Sequence, residues 1–164
     1  SVLREFENVR CVFEITLSAA CYGQLKRHRM ATMNTQPYDL SLGVTVPASI
    51  SAAGAEADFM GVVEETGAAY RKIAEAAPTA APYALTNAHR RRVVFAANAR
   101  EMYHISRLRE DPHAQWDIRE KSASMLRLAK KAMPATLQFA LGKHLVDETR
   151  ARLFRENSPE VAAP

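Results

Sequence analysis

A single α+β domain with more helix than strand is the fold this sequence predicts, on three observations. Its 164 residues are enough for one domain that buries about two-thirds of its unfolded surface. One segment near the start alternates apolar and polar residues with the period of a strand. Most of the remaining apolar residues recur at helical spacing instead. Apolar residues make up 48% and charged residues 24% of the chain, the balance of a globular protein rather than a disordered one. No run approaches the ~18 uninterrupted apolar residues of a membrane span.

The elements follow in order. Between residues 9 and 17, Val9, Cys11, Phe13, Ile15 and Leu17 point one way and Arg10, Glu14 and Thr16 the other, with Val12 out of pattern; this predicts a half-buried strand. Ser18 offers an N-cap for a helix over Ala19 to Arg29. Pro37, Gly43, Pro47 and Gly54 mark residues 31–54 as loop, with room for a short strand around Leu40 to Val46. Ala55 to Ala77 is the longest helical pattern, carried by Phe59, Val62 or Val63, Thr66, Tyr70, Ile73 and Ala77, and Pro78 and Pro82 close it. Val93 to Ala97 reads as extended, Asn98 to Arg109 as helix, and His113 to Met133 as a third helix beyond Pro112. Pro134 opens a last short helix to about Leu141, ahead of Gly142. Residues 157–164 read as a fraying tail, and the domain as running from 1 to 164. The chain opens on Ser1 rather than Met, which suggests a piece of something longer.

The net charge is +4 and the pI about 9.3. Two basic clusters carry much of it, Lys26-Arg27-His28-Arg29 and His89-Arg90-Arg91-Arg92. A solvated face, a nucleic acid or a phosphorylated small molecule would each suit them. Aromatic residues are only 7% and none interleaves with the clusters, which argues against a stacking platform for nucleic acid. Cys11 and Cys21 lack metal-ligand spacing and read as buried thiols of a reducing cytoplasm. No nucleophile elbow, zinc-protease helix, phosphate loop or dinucleotide fingerprint is present, and no metal set is assigned.

Three constellations remain. Gln24, Arg27 and His28 would share a face of the first helix. The cations there suit either a helix C-terminus or a phosphate-bearing ligand, whose oxygens match guanidinium forks. On the next helix, Asn98, Met102, Ile105 and Arg109 fall within ~40° of one another. Arg109 therefore projects from the face that should be buried and needs a partner, whether an anionic ligand, an acid on the next helix or its own helix end. In Ala114-Gln115-Trp116-Asp117-Ile118-Arg119 and beyond, Ile118, Met125 and either Ala129 or Met133 form a packing stripe, and Asp117 can pair with Lys121.

These stretches, in this order, resemble the flavin-dependent thymidylate synthases. Phe6-Glu7-Asn8 is similar to that family's lead-in, and Gln24-x-x-Arg27-His28-Arg29 followed by Asn34 is similar to its signature. Asn98-Ala99-Arg100, His104, Leu108-Arg109 and the run from Ala114 to Arg119 are similar to its closing block, so the resemblance covers about residues 5–145. It implies FAD reduced by NADPH, methylenetetrahydrofolate as carbon donor, and reductive methylation of dUMP to dTMP by a cytoplasmic homotetramer. By the resemblance, Arg27, His28, Arg29, Asn98, Arg100 and His104 contact the flavin. Gln24, Arg27 and Arg109 contact the nucleotide, with Arg109 as the catalytic group favouring the ionised uracil.

Several positions depart from the family pattern. Pro37 stands for the signature serine, Thr35 for an acid, Asp39 for an arginine that holds the nucleotide phosphate, Pro82 for another such arginine and Asn8 for the lead-in histidine. The flavin set is largely kept and the phosphate grip largely lost. The resemblance also implies an N-terminal portion before Phe6. A second reading follows: a catalytically inactive member serving assembly or regulation, paired with an intact family copy in the same polypeptide.

Overall fold

The structure, a computed structural model, describes residues 2–156, so the tail expected from Asn157 lies outside the described residues. The architecture is α+β, a three-stranded sheet with a larger complement of helices. The chain divides into two compact units. Val12–Ala97 form a sheet unit; residues 2–11 and 98–156 form a helical unit.

The sheet has the order β1-β3-β2. Strand β1 (Arg10–Ser18) buries Cys11, Ile15 and Leu17 and leaves Val12 68% exposed, as the alternation predicts. Central strand β3 (Arg90–Asn98) buries Val93, Phe95 and Ala97 in turn. Edge strand β2 (Thr32–Tyr38) runs antiparallel to β3, with Thr32 opposite Ala96 and Thr35 opposite Val93. This strand precedes the stretch where the sequence suggests one. Leu40–Leu42 form a 3-10 turn, and Val44 makes a lone bridge to His89. The register slips between Thr35 and Tyr38. Pro37 sits in that slip, where a residue with no N–H breaks no regular ladder.

Ser18 caps α1 (Ala19–Leu25) by accepting the Cys21 N–H at 3.0 Å. The helix ends four residues before the predicted Arg29. Residues 26–31 form successive turns instead, with His28 N–H bonded to Leu25 O and Ala31 N–H to His28 O. The pairing of Thr32 with β3 needs the chain to reverse there, and tertiary pairing overrides the helix propensity of Lys26 and Arg27. A short α2 (Ala48–Ala52) precedes α3 (Glu56–Ala76), which matches the long predicted helix and packs on the 3-10 turn Ala81–Ala84. Cys11 and Cys21 are free, buried thiols.

In the helical unit a 3-10 turn (Arg4–Asn8) and helices α5 (Trp116–Ala132) and α6 (Pro134–Leu137) pack on α4 (Ala99–Arg109). The Ala99 N–H donates to Val9 O at 2.8 Å, tying the first residues to the start of α4. Met102 and Ile105 of α4 and Ile118, Met125 and Ala129 of α5 are buried, as their spacing predicts. Helix α5 begins at Trp116 rather than His113, because Gln115 caps it by accepting the Ile118 N–H at 3.0 Å. Helix α6 stops at Leu137, short of the predicted Leu141. A 3-10 turn (Lys143–Leu145) and α7 (Val146–Glu156) follow.

Candidate functional site

Strand β3 runs directly into α4 at Asn98. The Asn98 Oδ1 accepts the Glu101 N–H at 2.8 Å, satisfying one of the free donors at the helix start. From that fixed origin Arg100, His104 and Arg107 follow at i, i+4 and i+7, so one helix face carries all three. They line a cleft of about 620 Å³ in the helical unit, together with apolar residues that include Phe6, Tyr103, Phe139 and Leu141.

The apolar part is built locally. Phe6 meets the Tyr103 ring edge-on, with centroids 5.8 Å apart. The Tyr103 hydroxyl donates to Thr136 O at 2.9 Å, and burial raises its pKa, so the ring presents a neutral surface. Phe139 remains 49% exposed and Leu3 65%, apolar area that a bound molecule would cover. The Arg100 Nη1 lies 2.5 Å from the Glu7 Oε1. Both side chains are partly solvated, so the pair adds little stability. Two guanidinium groups and an imidazole beside aromatic rings suit a flat ring carrying phosphate.

The residues singled out from the sequence divide between the two units. Arg100 and His104 share the cleft; Asn98 and Arg109 do not line it. Arg109 is half-buried on the stripe of Met102 and Ile105, the inward face its spacing predicts. In the sheet unit the shared helical face of Gln24, Arg27 and His28 does not form, because α1 ends at Leu25. Gln24 stays on the helix and is half-buried, while Arg27 and Arg29 are exposed on the turn that follows. His28 between them is only 3% exposed.

The second basic cluster is absorbed into the sheet unit rather than left as a free patch. The Arg90 Nε donates to Thr45 Oγ1 at 2.9 Å and its Nη1 to Leu42 O at 3.4 Å. Arg91 donates twice to Gln36 O, at 3.1 and 2.8 Å, with its guanidinium against the rings of Tyr22 and Tyr38. The Arg92 Nε lies 3.3 Å from the Glu14 Oε1, close enough for an ion pair but poorly aligned for a hydrogen bond. Asp39 accepts the Ser41 N–H at 2.9 Å and its hydroxyl at 2.6 Å. Those bonds lower the pKa of its carboxyl and cap the 3-10 turn that follows.

Sequence reasoning missed Glu7, Tyr103, Arg107 and Phe139. Arg107 had a signal, its place seven residues after Arg100. Glu7 had one in the lead-in motif, though not a role; Tyr103 and Phe139 had none, since their part in the cleft depends on packing of the 3-10 turn and α6 on α4.

Residues 2–135 match the family described as thymidylate synthase complementing protein. A flavin-dependent thymidylate synthase of Geobacter sulfurreducens is 33% identical over 133 residues, 76% of this chain and 57% of the relative. Another, of Nitratidesulfovibrio vulgaris, is 31% identical over 153 residues, 84% and 62% respectively. A UPF0159 protein of Chlamydia muridarum is 29% identical over 136 residues, 83% of this chain but 26% of that protein. The chain thus spans less than two thirds of each of these relatives.

Proposed function

The chain belongs to the thymidylate synthase complementing protein family, and on that premise we propose that it is a flavin-binding member of the lineage that reductively methylates dUMP to dTMP. The observation that carries this reading is the row of Arg100, His104 and Arg107, which shares the α4 cleft with the rings of Phe6, Tyr103 and Phe139. These residues fit FAD: guanidinium and imidazole donors match its phosphates, and Phe6, Tyr103 and Phe139 offer a surface for a flat ring. The family resemblance adds Arg27, His28, Arg29 and Asn98 to the flavin contacts, and Gln24, Arg27 and Arg109 to those of the nucleotide. When bound, a flavin reduced by NADPH supplies the electrons and methylenetetrahydrofolate the carbon. Arg109, charged at any working pH, would hold the pyrimidine in its anionic form. The assembly proposed is the homotetramer of the lineage.

The state of the phosphate grip favours a second reading, in which flavin is held but turnover is lost. Pro37 lies at the register slip of β2, and Asp39 is engaged with Ser41. Arg90 and Arg91 are held by carbonyls, a hydroxyl and aromatic rings. An intact family copy in the same polypeptide would then supply the chemistry.

The test is the visible absorbance of the purified chain after incubation with FAD, followed by a dTMP-formation assay. Flavin bound by the chain and weakened about tenfold or more by Arg100→Ala, the loss of one charge-assisted contact, supports the proposal. A chain that stays colourless overturns it. Flavin binding without dTMP formation selects the second reading.

A further inference from the structure

The sheet unit holds a second cavity, of about 290 Å³, between α3 and the segment leading to β3. Leu40, Val44, Met60 and Val63 give it apolar walls; Arg71, Glu64 and His89 give it polar groups. The wall is fixed by backbone pairing, since Val44 bridges to His89 and Thr45 N–H donates to Ala88 O at 3.0 Å.

His89 is 3% exposed, and its Nδ1 accepts the Thr86 N–H at 3.1 Å with the Thr86 hydroxyl at 2.9 Å. The Thr86 oxygen in turn accepts the Ala88 N–H. A ring whose Nδ1 lone pair is taken carries its hydrogen on Nε2, and burial lowers its pKa, so it is neutral at pH 7. With Nδ1 held by Thr86, Nε2–H is the ring donor that remains for a ligand. Neither Arg71 nor Glu64 is ion-paired among the described residues.

Gly67, the one buried residue of α3, lies on the cavity floor. Its φ is not positive. A Cβ there would meet Arg71 Nη1 at 3.7 Å and Leu40 Cδ1 at 3.9 Å, ordinary contact distances. The fold therefore tolerates alanine at this position, and a helix interior prefers it. What glycine keeps clear is the space of one methyl group next to the Arg71 guanidinium.

We propose that this cavity binds a small apolar monocarboxylate, its acid group held by Arg71 and the Nε2–H of His89 and its hydrocarbon part against Leu40, Val44, Met60 and Val63. Glu64, an exposed carboxylate lining the same cavity, opposes every added acid group, so a dicarboxylate is repelled more than a monocarboxylate. The site is independent of the flavin reading.

The test is an NMR titration of the 15N-labelled chain with hexanoate, and with hexan-1-ol as the neutral control. Hexanoate is expected to give saturable shifts at Gly43, Gly67 and His89, with hexanol about tenfold weaker, the loss of one charge-assisted contact. Arg71→Gln lowers hexanoate affinity by about the same factor. Gly67→Ala weakens binding while raising Tm by about 2–4 °C, and Gly67→Leu abolishes binding. Should the leucine variant fail to fold, the alanine and Arg71→Gln variants decide. Equal affinity for hexanol, unchanged affinity in Arg71→Gln, or shifts that never saturate would overturn the proposal. So would protection of the cavity amides that rises with protein concentration, which assigns the cavity to a second copy of the chain.

Discussion

Asn98 separates a structural role from a ligand role. Its Oδ1 receives the Glu101 N–H at 2.8 Å, and the helix it starts buries Ala99, Met102 and Ile105. Asn98→Ala removes that acceptor and leaves the first turn of α4 uncapped, at a cost of about 1 kcal/mol within a range of about 0.5–2. In a domain of this length, 1 kcal/mol lowers Tm by about 2–4 °C. Asn98→Asp keeps an acceptor in the same place and adds negative charge at a helix N-terminus, worth about 0.3–1 kcal/mol. Its stability should therefore equal or exceed that of the native chain. The proposed flavin contact responds differently: aspartate lacks the amide donor and repels phosphate, so FAD affinity should fall in the variant whose fold is intact. Urea unfolding followed by circular dichroism, with a parallel FAD titration, reads both effects. An Asn98→Ala chain as stable as the native one would refute the capping argument. An Asn98→Asp chain that binds FAD undiminished would refute the ligand role.

Further outcomes follow from the same geometry. A Cβ at Gly142 would meet the His144 ring at 2.8 Å and Glu110 O at 3.1 Å; Gly142→Ala should destabilise by about 1–2 kcal/mol, and adding His144→Ala should recover part of that in thermal unfolding. Burial raises the pKa of Glu110, with the Ser122 hydroxyl bonded to its Oε1 at 3.4 Å. The folded chain then binds more protons than the unfolded one above about pH 4.5, and stability falls as pH rises through that window. Glu110→Gln should be more stable than the native chain at pH 7 and lose that advantage below about pH 4.5, which urea midpoints across pH would show. Asp39→Arg restores the family's charge but removes both bonds to Ser41; hydrogen exchange at the Ser41 amide should accelerate, whereas Asp39→Asn, which keeps an acceptor, should retain most of its protection.

How far the sequence could be read depended on how many faces of an element are buried. Strand β1 and helices α4 and α5 each bury one stripe, and Ile15, Ile105 and Ile118 stood out at the right period. Strand β2 gave no such signal. Thr32, Asn34, Gln36 and Pro37 are exposed and Met33 and Thr35 only half-buried, so its existence rests on hydrogen bonds to β3. Helix α7 was invisible for a similar reason, its described side chains from Val146 to Arg152 being exposed or half-exposed. The overrun of α1 misplaced Arg27 and His28 on the face of Gln24, because local propensity carries no information about the reversal β2 imposes. Arg100 and His104 were identified from motif order, yet their common cleft with Arg107 emerged only once α4 had aromatic neighbours.

Proline at position 37 has a consequence beyond any ligand. Strand β2 ends the sheet on one side, and a free border of that kind invites a foreign strand to zip on. Pro37 offers no amide hydrogen to either side, and the slip beside it interrupts the ladder. Fibril-like stacking along this border is thereby discouraged, and returning a serine to the position would remove that safeguard along with the departure from the family pattern.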